Sequence, residues 1–562
     1  MADHRAVGRI ADHRAVGRIA VVLAVVLAVA PFVVGLVLDL RRGWLPLGDD
    51  AVIAERSWLV LTRHGPLLGQ ATVARSGGHA TYDLGPLLYW LLALPVRIDP
   101  VHGVLWGAAL WCVVAALVAV AAGRAAAGPA GELIAGAIFT VLAVDLTQMV
   151  LDPAWNPSIG LCWYVAAAAC GVAVASGHRW WLPALVVAAS IAAQSHLSFA
   201  TGVVMVVPVA LLVGLAATPS DSRRSWIRPV AVSAALGLGC WTATLVQQVD
   251  GHPGNLSALL SATGGAPVLG WVDGIRALGS AVGVPPLWSH QTVGITLYQL
   301  GAILQSGSLP AAGIVVATLV VVAVAAYRCG RHPLAALASV TLALALGLVV
   351  AVARFPSGEV LALSYSLRPA YVVALLAWVA LGAAATEVAL AAVRRRPGIH
   401  GARSGGAVPD RASPDRASPD RVVARRRPLA VAGIVALAAG VLAAVLVSTT
   451  VLSSQALLPQ SGLASAQVRA VTRVVDRSVA RGPVILQIAP DPSLPSGGIE
   501  MLALDFGVIW LAHTDGRDLR LAVVAATNIG PEAGPAPGLP TVTVHFRRGR
   551  PVATLTDPRG RG

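Results

Sequence analysis

Apolar runs of about twenty residues, the length a helix needs to cross roughly 30 Å of hydrocarbon, recur along this chain between short polar joints. They occupy 19–40, 104–123, 132–151, 157–177, 198–217, 227–248, 310–327, 333–353, 367–393 and 429–451. Two shorter runs, 85–98 and 180–194, are ambiguous as crossings. The pattern predicts an all-α polytopic membrane protein of about 11–13 transmembrane helices. In the first run Ala28, Val29 and Ala30 have the small-residue form of a signal cleavage site. Pro31 follows at once and the apolar stretch continues, so an uncleaved span is the reading preferred.

Arginine-rich joints orient the spans. Arg223, Arg224 and Arg228, then Arg328 and Arg331, then Arg394 to Arg396 belong on the cytoplasmic side. The loops 41–84, 249–309 and 354–366 then face outward, together with the joints Asp152 to Asn156 and Gln194 to His196. Arg124 falls inside, which requires an odd number of crossings after Asp83 where two apolar runs stand. Either 85–98 does not span, or Arg124 is not inside.

Five units follow. Residues 1–18 are a basic cytoplasmic tail built on a tandem copy of ADHRAVGRI, and 19–393 form the transmembrane domain with its first outer loop at 41–84. Residues 394–428, with the repeat PDRASPDRASPDR, are a disordered basic cytoplasmic linker, and 429–452 are the final span. That span delivers 453–562 to the outer side as a small extracytoplasmic α/β domain. In it PVILQIA, VIWLAH, LRLAVVAA, TVTVHF and PVATL read as strands and Gly498 to Phe506 as a helix.

Composition excludes a soluble protein: of 562 residues 56% are hydrophobic and 12% charged, with a mean hydropathy of +0.74. The formal charge of +14 is carried without a single lysine, by arginines that cluster in the joints, which argues for topology rather than nucleic acid. Cys112, Cys162, Cys170, Cys240 and Cys329 share no metal-like spacing, and neither a disulfide nor a metal cluster is expected. Asn255 to Ser257 match the N-x-S pattern, read as incidental.

The candidate chemistry centres on Asp49 and Asp50, an acidic pair just beyond the first span. They open a predicted helix in which Ala51, Ala54, Trp58 and Leu61 share one face while Asp49, Arg56 and Arg63 lie seven apart on another, and which could lie along the outer leaflet. A carboxylate there could deprotonate an acceptor hydroxyl while the arginines hold a lipid phosphate. It could also simply cap the helix.

The order of first span, outer Gly48-Asp49-Asp50, amphipathic helix, then Gly85-Pro86-Leu87-Leu88-Tyr89-Trp90 resembles the GT-C superfamily of membrane glycosyltransferases. Gly85 stands in place of a proline and Asp50 in place of the usual glutamate. The resemblance extends loosely over the first 370 residues, including DPAWNP at 152–157 and QSHLSF at 194–199. It implies a polyprenyl-phosphate sugar as donor and an acidic residue of the first outer loop as base, and leaves open which aspartate that is.

Other candidates each have a bland alternative. His196 could meet donor phosphate, or satisfy free backbone groups at a helix break. Trp155 and Asn156 could stack on and bond a sugar, or anchor the chain at the interface. Asp152 could extend the acidic cavity or serve a turn. Arg354 and Arg368 could clamp phosphate or snorkel. Tyr82, Tyr89 and Gln194 complete the predicted sugar and acceptor contacts. Asp145 and Glu387 lie inside apolar runs near opposite membrane faces, where snorkelling accounts for them.

The function expected is inverting transfer of an arabinose- or mannose-type sugar to a cell-envelope glycan or lipid at the outer face of the plasma membrane. Arg56, Arg63, Arg368 and His196 would meet the donor phosphate. No cofactor is required by the motifs, and a role for a divalent metal stays open. The alternatives are a transporter or flippase of lipid-linked sugars, against which no inverted repeat is visible, and a non-catalytic scaffold of the same fold.

Overall fold

The computed structural model describes residues 2–76, 79–146, 148–262, 267–289, 297–359, 364–395, 459–478, 483–489, 499–521, 539–547 and 550–556. The predicted linker from 396 onward and the run 429–451 lie outside the described residues. In chain order the membrane part contains α1 (Ala2–Arg41), α2 (Asp49–Leu59), β1 (Ala71–Ser76), β2 (His79–Tyr82), α3 (Leu87–Ile98), α4 (Gly103–Asp145) and α5 (Gln148–Leu151). There follow α6 (Asn156–Ala175), α7 (Leu182–Ser195), α8 (Leu197–Ala217), α9 (Ile227–Asp250), α10 (Asn255–Ser261), α11 (Trp271–Val282) and α12 (Leu297–Gln305). The last three are α13 (Leu309–Arg328), α14 (His332–Ala353) and α15 (Pro369–Arg395).

Eight of the described helices are long and apolar enough to cross a membrane, and the chain is a polytopic helical membrane protein. The longest, α4, is a hairpin. Ala127 and Gly128 leave helical geometry, and a side-chain carbon on Gly123 would lie 2.5 Å from the Gly131 carbonyl. Eight residues apart in a straight helix would be about 12 Å apart, so the two arms fold back on each other. Arg124 and Glu132 pair across the turn at 2.7 Å. By contrast α3, at twelve residues, reaches only about 18 Å and is too short to span. The run 85–98 is therefore not a crossing, which leaves one crossing between Asp83 and Arg124, the odd number that an inside Arg124 demands.

The polar joints sort to two ends. At one end the three predicted outer loops meet: Asn255 holds the Tyr82 backbone, and Val268 bridges Pro356. The starts of α6 and α8 are there too, because Asn156 donates to the Ser195 carbonyl at 3.1 Å. At the other end lie the α4 turn, a bond from the Tyr327 hydroxyl to the Ala216 carbonyl (2.9 Å) and the Arg331–Glu387 pair (3.2 Å). Glu387 thus finds a cation on the neighbouring joint.

The C-terminal unit comprises α16 (Pro459–Ser478), β3 (Val484–Ile488), α17 (Ile499–Thr514), β4 (Leu519–Leu521), β5 (Thr541–Arg547) and β6 (Arg550–Thr556). Its sheet has the order β4-β3-β5-β6, parallel except for the β5–β6 hairpin. VIWLAH, predicted as a strand, is the second half of α17. A run apolar on every side imitates a buried strand. Here Val508, Ile509, Trp510 and Ala512 are all buried because the helix is walled by its own domain and by α2 of the membrane part.

Small residues set the spacing of the bundle. A side chain on Gly136 of α4 would meet the Ala24 backbone of α1 at 2.5 Å, so only glycine lets these helices approach so closely. Gly136→Leu is expected to lower the melting midpoint in detergent by an amount equivalent to about 1–3 kcal/mol. Gly313→Leu, which adds a side chain where nothing lies within 4 Å, is the control expected to leave it unchanged.

Candidate active site

Gly48 begins the site. Its φ of 51° and ψ of −124° turn the chain where a side chain would be strained, and place Asp49 and Asp50 at the first two positions of α2. They stand at the N-terminal, positive end of the helix, a setting that favours negative charge. Ala51 to Glu55 are all buried, so α2 is enclosed by protein rather than laid on the lipid surface as predicted. It ends at Leu59, where Thr62 caps the Leu59 carbonyl through both its N–H and its hydroxyl. Arg63 therefore does not share a helix face with Asp49. It is exposed and donates to His64.

Both oxygens of Asp49 are held. One accepts a bond from the Gln70 amide, the other from the Trp155 indole N–H at 2.9 Å. Gln70 stands at the foot of the β1–β2 hairpin, where its carbonyl accepts from the Asp83 N–H at 2.7 Å. Asp50 shares a hydrogen bond with Asp152. Asp83 accepts from the Leu197 N–H (2.9 Å) and the Asn156 amide (3.1 Å), tying the hairpin to the starts of α8 and α6. Buried Asp39, at the end of α1, adds a further carboxylate within electrostatic reach of Asp50 and Asp152.

The cationic side is Arg368. It is 1% exposed, lies 4.5 Å over the Trp155 ring, donates to the Ser158 hydroxyl at 3.3 Å and faces Asp152 electrostatically. Tyr365 packs between Trp155 (4.9 Å) and His196 (5.8 Å between ring centres). The Ser198 N–H donates to His196 Nδ1 at 3.3 Å, so the neutral ring carries its proton on Nε2. Asp50, Asp152, Gln70 and Tyr89 each present a buried oxygen with no hydrogen-bond partner, all among residues that surround Asp49.

Burial governs the charges here. Asp49 itself is exposed, yet desolvation by the surrounding protein raises its carboxyl above the ordinary range, opposed by the bonds from Trp155 and Gln70. Burial raises Asp83 to about 8 against its two hydrogen bonds. Asp152 is raised to about 6, again by burial, while the bond to Asp50 and the charge of Arg368 pull the other way. Asp50 is raised by burial and by the neighbouring carboxylates, so it holds the proton of the Asp50–Asp152 pair. His196 is pushed down to about 3 by burial and by Arg368, and is a neutral hydrogen-bond donor at physiological pH.

Of the predicted residues, the structure brings together Asp49, Asp50, Trp155, Asn156, Arg368, His196 and Tyr89. Tyr82 is engaged through its backbone by Asn255, and Arg56 is half-buried within electrostatic reach of Tyr89. Gln194 stands apart, with its amide between the Leu87 N–H (3.4 Å) and the Cys240 carbonyl (2.9 Å). Asp39, Gln70, Asp83, Ser158 and Tyr365 were not singled out. Asp83 carried the clearest signal, as a lone acid directly before Leu84-Gly85-Pro86. Among the described residues no three or more His, Cys, Asp and Glu side chains are arranged to hold a metal ion.

No protein-family model and no curated protein sequence matches the chain. Among solved structures it is similar to ArnT from Cupriavidus metallidurans bound to undecaprenyl phosphate, with a TM-score of 0.46 and 15% identity over 95% of this chain and 97% of that one. It is also similar to the oligosaccharyltransferase AglB from Archaeoglobus fulgidus in complex with an inhibitory peptide and a dolichol-phosphate, with a TM-score of 0.40 and 13% identity over 90% of this chain and 64% of that one.

A carboxyl whose folded pKa is raised contributes stability that is fully present below its unfolded value of about 4 and is lost as pH climbs through the folded value. With Asp152 at about 6 and Asp83 at about 8, the melting midpoint is expected to fall by a few degrees as pH rises from 6 to 9. Asp83→Asn keeps the shape but cannot titrate, and should flatten the upper part of that slope in a thermal-shift series.

Proposed function

We propose that the chain is an inverting membrane glycosyltransferase that moves a sugar from a polyprenyl-phosphate donor to a hydroxyl of a cell-envelope acceptor. One observation carries the reading. Trp155 links the two halves of the chemistry, with its indole N–H on the Asp49 carboxylate and its ring face under the Arg368 guanidinium. A base and a cation are thereby fixed on opposite parts of one rigid side chain, at the end of the bundle where the outer loops meet.

The reaction this serves is a single displacement. The acceptor oxygen attacks the anomeric carbon and gives its proton to Asp49. The bond from that carbon to the phosphate oxygen breaks, and its electron pair leaves with the phosphate. Arg368 would meet the charge developing there, and a preorganised buried cation acts strongly because it needs no reorganisation. His196 Nε2–H is a second donor for the same group. Both oxygens of Asp49 retain a lone pair beyond the bonds from Gln70 and Trp155, so the carboxylate can still take a proton. Its raised pKa suits a general base better than that of an ordinary carboxylate would. The partnerless oxygens of Asp50, Asp152 and Tyr89 are acceptors and donors suited to sugar hydroxyls.

The test is transfer of radiolabelled arabinose or mannose from its polyprenyl phosphate to cell-envelope acceptors by purified protein. Asp49→Asn is expected to lower kcat by about 10²–10⁴-fold with the protein still folded, and Arg368→Lys to raise the donor KM more than the acceptor KM. Transfer unchanged in both Asp49→Asn and Asp50→Asn would refute the site. Because the base must be ionised and its pKa is raised, the acid limb of kcat/KM should lie above the ordinary carboxylate range.

A further inference from the structure

The C-terminal domain packs against the segment just before the helix that carries the candidate base and against that helix's second half. Before α2, Arg469 of α16 donates to the Gly43 carbonyl at 3.1 Å, and Gly507 of α17 sits against Leu47 and Pro46. Beyond its middle, buried Glu55 faces His513 at 3.0 Å. At its end Trp58 is held between the Arg97 guanidinium, 4.9 Å above its ring, and Trp510 at 6.3 Å, whose indole donates to the Pro100 carbonyl. Glu55 is a buried carboxylate that the chemistry above does not use, pointing away to a domain some 450 residues later in the chain.

His513 explains it. Its Nδ1 faces the Glu55 carboxylate at 3.0 Å and its Nε2 faces the Leu519 carbonyl at 3.2 Å. Neither partner can donate, so only a ring protonated on both nitrogens makes both bonds. The remaining charges nearby are Asp518, ion-paired with Arg520 at 3.0 Å, and Arg517, paired with Asp476 of α16 at 3.0 Å. The structure thus holds an imidazolium–carboxylate pair across the domain boundary.

We propose that Glu55 and His513 are positioning residues: through their ion pair the C-terminal domain fixes α2, and with it Asp49 and Asp50, and the hold loosens as His513 loses its proton. The catalytic consequence rests on the function proposed above, whereas the hold itself does not. Burial lowers the His513 pKa, but the hydrogen bond and charge of Glu55, the Leu519 carbonyl and Asp518 outweigh it, and the net direction is upward. A histidine whose folded pKa is raised contributes stability fully present below about 6.5 and lost as pH rises through the folded value.

Hydrogen–deuterium exchange of the full-length protein, corrected for intrinsic rates, reads the hold directly on peptides covering 49–59. In the wild type, protection is expected to fall between pH 6 and 9. His513→Gln and Glu55→Gln should show low protection with little further pH dependence, while α6 and α14 stay protected in both and so report intact folding. His513→Arg, which keeps the charge at every pH, should restore protection at pH 9. Protection of 49–59 that is unchanged in both glutamine variants overturns the proposal, whatever the activity. Loss of protection in a wild-type protein that shows no sugar transfer would uphold the hold and refute the enzymatic reading instead. Where transfer is measurable, the glutamine variants should lower kcat with donor KM little changed.

Discussion

The constraint on which this molecule depends is the burial of several carboxylates at one end of an apolar bundle. An unpaired charge there costs several kcal/mol, so every neighbouring element supplies something to it. The hairpin gives Gln70, the turn before α6 gives Trp155, the starts of α6 and α8 give Asn156 and the Leu197 N–H, and the start of α15 gives Arg368. Where no donor arrives, two acids share one proton, as Asp50 and Asp152 do. The irregular backbone of this end is accordingly not loose packing. Non-helical chain near membrane depth persists where it is enclosed by protein or lines a polar cavity, and here it encloses the acids.

Trp155 has a place in this arrangement that neither a tyrosine nor a phenylalanine could fill. Phenylalanine would keep the face under Arg368 and lose the bond to Asp49. A tyrosine hydroxyl lies at the far tip of its ring, not at the edge position from which the indole N–H reaches the carboxylate. The indole also keeps Asp49 and Arg368 from meeting as a direct salt bridge. On the function proposed above, two groups held apart by one ring serve a hydroxyl and a phosphate better than two that neutralise each other.

Much of the architecture was legible in the chain because a membrane makes the code simple. Length of apolar run gives the span and arginine gives the side, and the three loops assigned outward from Arg223, Arg328 and Arg394 do meet at one end. The ambiguity at 85–98 dissolves once α3 is twelve residues long. The acidic pair at 49–50 was visible by position, yet its partners were not. Gln70 and Tyr365 are ordinary loop residues in sequence, and only the closure of a hairpin that no periodicity announces brings Gln70, and Asp83 with it, to Asp49. VIWLAH failed for the opposite reason: a helix buried on all sides has no polar face to betray its period.

That same burial explains why α2 needs a domain from the far end of the chain. An eleven-residue helix is marginal in water, and this one carries two acids at one end and Glu55 near its middle. The α3 and α4 side covers part of its surface. Left open, the opposite side would expose Glu55 and the Trp58 edge at the boundary of water and lipid, where neither the helix nor the positions of Asp49 and Asp50 would be well defined. Trp510 and His513 close that side with one aromatic and one cationic contact. Covering it by a unit outside the spans, rather than by another span, lets an ionisable group do the closing, since a histidine inside the bilayer would lose its charge and with it the bond to Glu55.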